Sequence, residues 1–217
     1  MALAHVRTSH GIQVLTQKHP IIKSLIKSGS KPRLHGTQIW RSTFTLMEYL
    51  TDHPLKLGQC IMEIGCGWGL AGIYSAKRFS ADVLLTDADE QVFPYAMTHA
   101  KLNGVPVRTE HVRFEGIQDH HLREHDVLMG SDICFWPELG TQLRRLIERA
   151  LCSGIRTILL ADPGRASFMQ LANYCQRHFG ATMIPRQAVT RAGSSGYVLV
   201  IKQDWVMDAR PWATEAH

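Results

Sequence analysis

The stretch "CIMEIGCGWGLAG", residues 60–72, constrains the fold more than any other part of the chain. Cys60 to Ile64 make a short apolar run. Gly65, Gly67 and Gly69 follow at alternate positions, and helically spaced apolar residues begin at Leu70. Glycines placed this way let the backbone turn tightly and approach a ligand where a Cβ would collide. A strand, a glycine loop and a helix in that order build a nucleotide-type site at the strand's carboxyl end.

The rest of the chain repeats the rhythm. Strand-like runs at 82–86, 107–114, 126–129 and 155–161 alternate with helical patterns at 90–103, 137–151 and 165–179. Gly104 and Gly180 stand where helices close, and Pro137 suits a first helical turn. Regular alternation predicts an α/β fold: a mostly parallel, Rossmann-like sheet with helices on both faces. Runs at 182–189 and 197–202 leave no room for a helix between them, so a hairpin with an antiparallel last strand is expected. Before the glycine loop, 21–26 reads as one helix. "STFTLMEYLTDHP" reads as a second, with Ser42 or Thr43 as its N-cap and Phe44, Met47 and Leu50 inward. Trp205 and Trp212 are expected to pack the tail back on the body.

Charge divides the chain. Arg7, Lys18, Lys23, Lys27, Lys31, Arg33 and Arg41 precede Met47 with no Asp or Glu among them, whereas the remainder carries 17 basic and 19 acidic residues. Residues 1–35 are therefore read as a basic N-terminal extension, and 36–217 as a single domain. Such an extension suits an acidic protein surface or a phosphate backbone, or is simply a solvated terminus. No aromatics interleave its lysines, which disfavours nucleic acid. Five cysteines without a C-x-x-C pair point to reduced thiols and a cytoplasmic setting, with no signal peptide and no membrane span. No four-ligand spacing supports a metal, and "QDHHLREHD" matches no metal motif.

The glycine loop departs from the dinucleotide fingerprint, because Leu70 stands where the third glycine belongs and Gly69 comes one residue early. Glu63, just before the loop, opposes a pyrophosphate and suits a cation. Asp87, 22 residues after Gly65, ends the second strand of this unit, where an acid accepts hydrogen bonds from ribose, while Asp89 is better placed to cap the next helix. S-adenosyl-L-methionine, a sulfonium with a ribose, meets both demands.

"LGQCIMEIGCGWGLAGIYSA", "VLLTDAD" and "HAKLNG" together resemble the class I S-adenosylmethionine-dependent methyltransferases. "IWRSTFTLMEYL" and the "GSD-x-x-aromatic" segment are similar to the methyltransferase-16 family of protein lysine methyltransferases and its bacterial relatives, over roughly residues 36–160. "ADPGR" is similar to a segment of the electron-transfer-flavoprotein lysine methyltransferases. The resemblance implies a seven-stranded sheet with the last strand antiparallel. It also implies cofactor contact through Trp40, Glu63, Gly65, Gly67 and Asp87, to which Cys66, Gly69, Ala88 and Ser131 are added as neighbours of the same loops. The chain differs from the family in its His99–Asn103 pair, in "RFEGIQ", and in Phe135 where tyrosine is usual.

On the acceptor side, Asp132 is expected to take a hydrogen bond from an incoming amine, with Phe135 and Trp136 as π-faced walls. Arg165 of "ADPGR" is a further candidate for substrate contact. The implied activity is methylation of a protein lysine. A small-molecule amine or nucleic-acid acceptor, and a non-catalytic cofactor-binding interaction module, are the alternative readings.

Overall fold

The computed structural model describes residues 5–186 and 195–203. Its chain order is β1 (Val6–Ser9), β2 (Ile12–Leu15), α1 (Pro20–Lys27), α2 (Ser42–Asp52), β3 (Cys60–Ile64), α3 (Leu70–Phe79), β4 (Asp82–Asp87) and α4 (Phe93–Asn103). There follow β5 (Arg108–His111), α5 (Asp119–Arg123), β6 (Val127–Ser131), α6 (Pro137–Ser153), β7 (Thr157–Asp162), α7 (Ala166–Phe179), β8 (Thr182–Arg186) and β9 (Gly196–Lys202).

Seven strands form one sheet in the order β5-β4-β3-β6-β7-β9-β8. Pairings from β5 through to β7 are parallel, and β9 runs antiparallel to both β7 and β8. The strands read as continuous apolar runs because both faces are covered. Along β3, Ile61 joins the core with α2, α3 and α4, while Met62 and Ile64 join the core with α5, α6 and α7. β7 divides likewise, Leu159 to one side and Ile158 and Leu160 to the other. Strand order reverses between β3 and β6, and a ligand site belongs at the carboxyl ends there. Of the strand expected over 182–189, Thr182–Arg186 form β8; residues 187–189, the connection after them, and Trp205 and Trp212 lie outside the described residues.

The N-terminal residues do more than carry charge. β1 and β2 form a hairpin whose two turn residues, His10 and Gly11, both have positive φ, as a tight type I′ turn requires. Ile12, Val14, Leu15 and Ile22 are buried in the same core as α2–α4, so the boundary expected near residue 35 crosses a packed layer. The pair His99 and Asn103 holds that layer down. Asn103 exchanges two hydrogen bonds with the Gln13 backbone, at 2.7 and 2.8 Å. His99 Nε2 accepts from Leu15 N at 3.1 Å while its Nδ1 donates to Tyr95 O.

That geometry needs a neutral ring, and burial lowers the His99 pKa below its ordinary 6.5. A depressed histidine contributes stability above its unfolded pKa and loses it as pH falls. The loss of urea midpoint caused by His99→Gln, measured against the parent at each pH, is therefore expected to be larger at pH 7.5 than at pH 5.5. An equal loss at both pH values would remove His99 from this role.

α2 is capped differently from expectation. Arg41 occupies the N-cap position without a side-chain cap, and Asp132 Oδ2, from across the fold, accepts from Ser42 N at 2.8 Å. Thr43 Oγ1 is turned instead to Ser131 Oγ at 2.8 Å. Among the described residues, no helix is long and apolar enough to cross a membrane.

Candidate active site

A cleft of about 570 Å³ opens at the switch point, over the carboxyl ends of β3, β4 and β6. Of the residues singled out in the sequence, Trp40, Gly65, Gly67, Asp87, Ala88, Ser131, Asp132, Phe135 and Trp136 line it. Glu63, Cys66 and Gly69 do not; each supports the loop from behind.

The loop's three glycines all have positive φ, between 53° and 69°. A Cβ on Gly65 would meet Ile133 Cγ2 at 2.5 Å, and one on Gly69 would meet Leu85 Cδ1 at 2.7 Å. Nothing lies within 4 Å of a Cβ built on Gly67, so its backbone is the open approach for a ligand. Gly69 is thus a packing glycine at the N-cap of α3. Cys66 donates its backbone N–H to Thr86 O, and burial pushes its thiol well above the ordinary range, which leaves no nucleophile there.

Glu63 corrects the expectation of a carboxylate facing a cationic ligand. It is 1% exposed, and its Oε2 accepts from Gly72 N at 2.7 Å, holding α3 against β3. Burial raises its pKa to about 8 despite that hydrogen bond, and the nearby Asp87 charge adds to the rise. A carboxyl whose pKa is raised from 4.5 to about 8 stabilises fully below 4.5 and loses that contribution as pH climbs through 8. Glu63→Gln keeps an acceptor for Gly72 N–H. It is expected to flatten the fall in unfolding free energy between pH 5.5 and 8.5, on the order of a few kcal/mol. An unaltered pH profile would contradict a buried, titrating Glu63.

Asp87 organises the half of the cleft over β3 and β4. Its Oδ2 accepts from Gly67 N at 3.0 Å and its Oδ1 from Asp89 N at 2.9 Å, and burial raises its pKa. Asp89 caps the turn at Glu90–Val92 through Gln91 N, as its position implies. It also accepts from Arg33 N and Leu34 N, pinning the 33–40 loop over the cleft. Trp68 Nε1 holds the same loop at Gly36 O, 2.9 Å away.

The other half of the cleft is an aromatic cluster. His35 stacks on Phe135 with centroids 4.5 Å apart, Trp40 meets Phe135 edge-on at 5.1 Å, and Trp136 meets His35 at 5.4 Å. Trp136 is 49% exposed and forms the rim. Asp132 sits beneath at φ 55°, 4% exposed, with its N–H on Ala161 O. Its Oδ1 accepts from Arg165 Nη1 at 2.8 Å, and the same nitrogen reaches Asp162 Oδ2 at 2.6 Å. Asp132 therefore caps α2, not the helix after Pro137.

Three contributions escape the sequence. His35 carries no motif, and only the fold brings it to Phe135. Arg113, Phe114 and Glu115 line the cleft although "RFEGIQ" lacks the family pattern; Glu115 is held by Gln142 at 2.6 Å. Arg165 is visible in "ADPGR", but its contact with Asp132 is not. Of the histidines of "QDHHLREHD", His120 and His121 lie in α5, and His125 Nδ1 meets His121 O just beyond its end. Among the described residues, no group of three His, Cys, Asp or Glu could hold a metal ion.

A parallel sheet ending in an antiparallel β9 between β7 and β8, with a glycine loop at the switch point, defines a Rossmann-like methyltransferase fold. The METTL16 methyltransferase domain shares it, with a TM-score of 0.60 over 91% of this chain and 86% of that one at 16% identity. The lysine methyltransferase family matches residues 25–168, and the chain belongs to that family. It is 30% identical over 116 residues to the Mus musculus histone-arginine methyltransferase METTL23, covering 48% of this chain and 43% of that protein. It is 27% identical over 120 residues to the Arabidopsis thaliana calmodulin-lysine N-methyltransferase, covering 52% and 40%. The chain thus spans about half, or less, of the length of these relatives.

Proposed function

We propose that this protein transfers a methyl group from S-adenosylmethionine to a side-chain amine of a protein, with lysine as the first acceptor. The observation that carries this reading is one cleft that joins the Gly67–Asp87 half to the Asp132–aromatic half. The residues fit the cofactor: open backbone at Gly67 for close approach, and an almost buried carboxylate at Asp87 for ribose hydroxyls. The cofactor supplies an electrophilic methyl group. Asp132 orients the incoming nitrogen, and the His35, Trp40 and Phe135 rings exclude water from its path.

A protein acceptor agrees with the family and with the relatives' substrates. Lys23, Lys27, Lys31 and Arg33 are exposed on the segment that leads to Leu34 at the cleft, a face suited to an acidic protein surface. Five cysteines without a C-x-x-C pair support a reducing, cytoplasmic setting.

Calorimetry is expected to show binding of S-adenosylmethionine and S-adenosylhomocysteine and none of NAD; binding of NAD alone would overturn the reading. Label from methyl-tritiated cofactor in a cell lysate is expected to survive nuclease, vanish with protease, and appear as methyl-lysine after acid hydrolysis. Label in nucleic acid, or in methyl-arginine, would reassign the acceptor.

A further inference from the structure

We propose that Arg165 is a positioning residue that sets how much negative charge Asp132 presents to the acceptor nitrogen, an inference that rests on the methyl-transfer reading above. The guanidinium already takes the contacts an incoming cation would seek. Nη1 binds the Asp132 carboxylate, and the guanidinium carbon lies 4.3 Å from the Phe135 centroid and 5.8 Å from that of Trp40. A planar cation on aromatic faces is held by the ring quadrupoles as well as by its carboxylate partners. Burial alone would lower the Arg165 pKa, but Asp132 and Asp162 together raise it, so the group stays charged.

The two carboxylates are not equivalent. Asp162 is saturated: Oδ1 accepts from Gly164 N and Arg165 N, at 2.9 and 2.8 Å, and Oδ2 takes the guanidinium. Its side chain is 1% exposed and does not line the cleft. Asp132 does line it, with Arg165 on one oxygen and Ser42 N–H on the other. Two carboxylates against one guanidinium leave a single net negative charge, and Asp132 is where the cleft meets it. Arg165 therefore holds Asp132 and Phe135 in place and removes much of their pull on a cation. What remains is an acceptor for the N–H of an amine rather than a trap for the charged methylated product.

The test compares two cofactor-site ligands that differ at the transferred group. Sinefungin carries a C–NH3+ where S-adenosylmethionine carries S+–CH3, whereas S-adenosylhomocysteine carries a neutral sulfur. The ratio of their Kd values, by calorimetry, reads the charge facing the methyl position. Arg165→Met is expected to shift preference toward sinefungin by about tenfold, because Asp132 loses its internal cation. Asp162→Asn keeps an Oδ1 acceptor for the Gly164 and Arg165 N–H groups but leaves the guanidinium to Asp132 alone. It is expected to shift preference the other way by a few-fold.

General destabilisation does not move the ratio in opposite directions. A ratio within about twofold of the parent in both variants, or a change of the same sign in both, would overturn the proposal. If Arg165→Met lacks a cooperative melt, Asp162→Asn decides alone. Failure of the parent protein to bind either ligand would instead overturn the methyl-transfer reading.

Discussion

Asp132→Ala is expected to reduce methyl transfer by more than about 100-fold while S-adenosylhomocysteine affinity stays within a few-fold. Asp132 lines the part of the cleft proposed for the acceptor, so the cofactor contacts proposed for Gly67 and Asp87 are expected to survive its loss. Stability falls as well. The variant removes the acceptor for Ser42 N–H at the start of α2, and it strips Arg165 of one partner in a nearly buried ion pair. Losing a helix cap costs about 1 kcal/mol, and since Asp162 still pairs with Arg165, the lost ion pair adds less than the ~3–5 kcal/mol of a buried charge left alone.

Asp132→Asn separates these effects. Its amide oxygen keeps an acceptor for Ser42 N–H, so the helix start is preserved while the charge is gone. It is expected to melt closer to the parent than the alanine variant and still to transfer poorly. Label incorporation and thermal melts measure the two quantities in parallel. Transfer at parental rates in a folded Asp132→Asn protein would mean that the carboxylate charge has no part in the reaction.

The second large effect belongs to the other half of the cleft. Asp87→Ala is expected to weaken S-adenosylhomocysteine binding by about 100-fold. Two charge-assisted hydrogen bonds, from Gly67 N and Asp89 N, lose their acceptor together. Each is worth about 1.5–3 kcal/mol. Without them the glycine loop loses one of its ties to β4, the Cys66 N–H bond to Thr86 O remaining, and the carboxylate proposed to hold the ribose is gone. The Asp89 carboxylate still holds Arg33 and Leu34, so the 33–40 loop is expected to stay in place. Calorimetry gives the affinity, and loss of the ligand-induced rise in Tm gives an independent reading. Parental affinity would assign cofactor binding elsewhere.

The fold was largely legible because its signals are local. Cys60–Ile64 is apolar without interruption since both faces of β3 are covered, and Gly104 ends α4 in a left-handed conformation at φ 68°. A turn of backbone and its nearest neighbours set these features, and the sequence shows both. The N-terminal hairpin was not legible. Six Lys or Arg with no acid set the charge of residues 1–35 and draw the eye, while the four apolar side chains that anchor this segment, Ile12, Val14, Leu15 and Ile22, form no continuous run.

The site divides along the same line. The residue types of the glycine loop, Asp87 and the "GSD-x-x-aromatic" segment pointed to one cleft because each ends a strand of one sheet. Glu63 reads in the sequence like a ligand carboxylate, yet it faces α3 with its pKa raised, since burial costs a charge more than one backbone hydrogen bond returns. His35 and Phe135 are 100 positions apart and stack only because two loops meet.

What the sequence alone determined is the alternation of strands and helices from β3 to β7 and the glycine loop between β3 and α3, all properties of neighbouring residues. What only the tertiary structure decided is the charge each acid carries and shows. Asp132 meets Arg165 from 33 positions away and Ser42 from 90. A carboxylate's reactivity follows from its partners and its distance from water, and chain crossing alone brings those together.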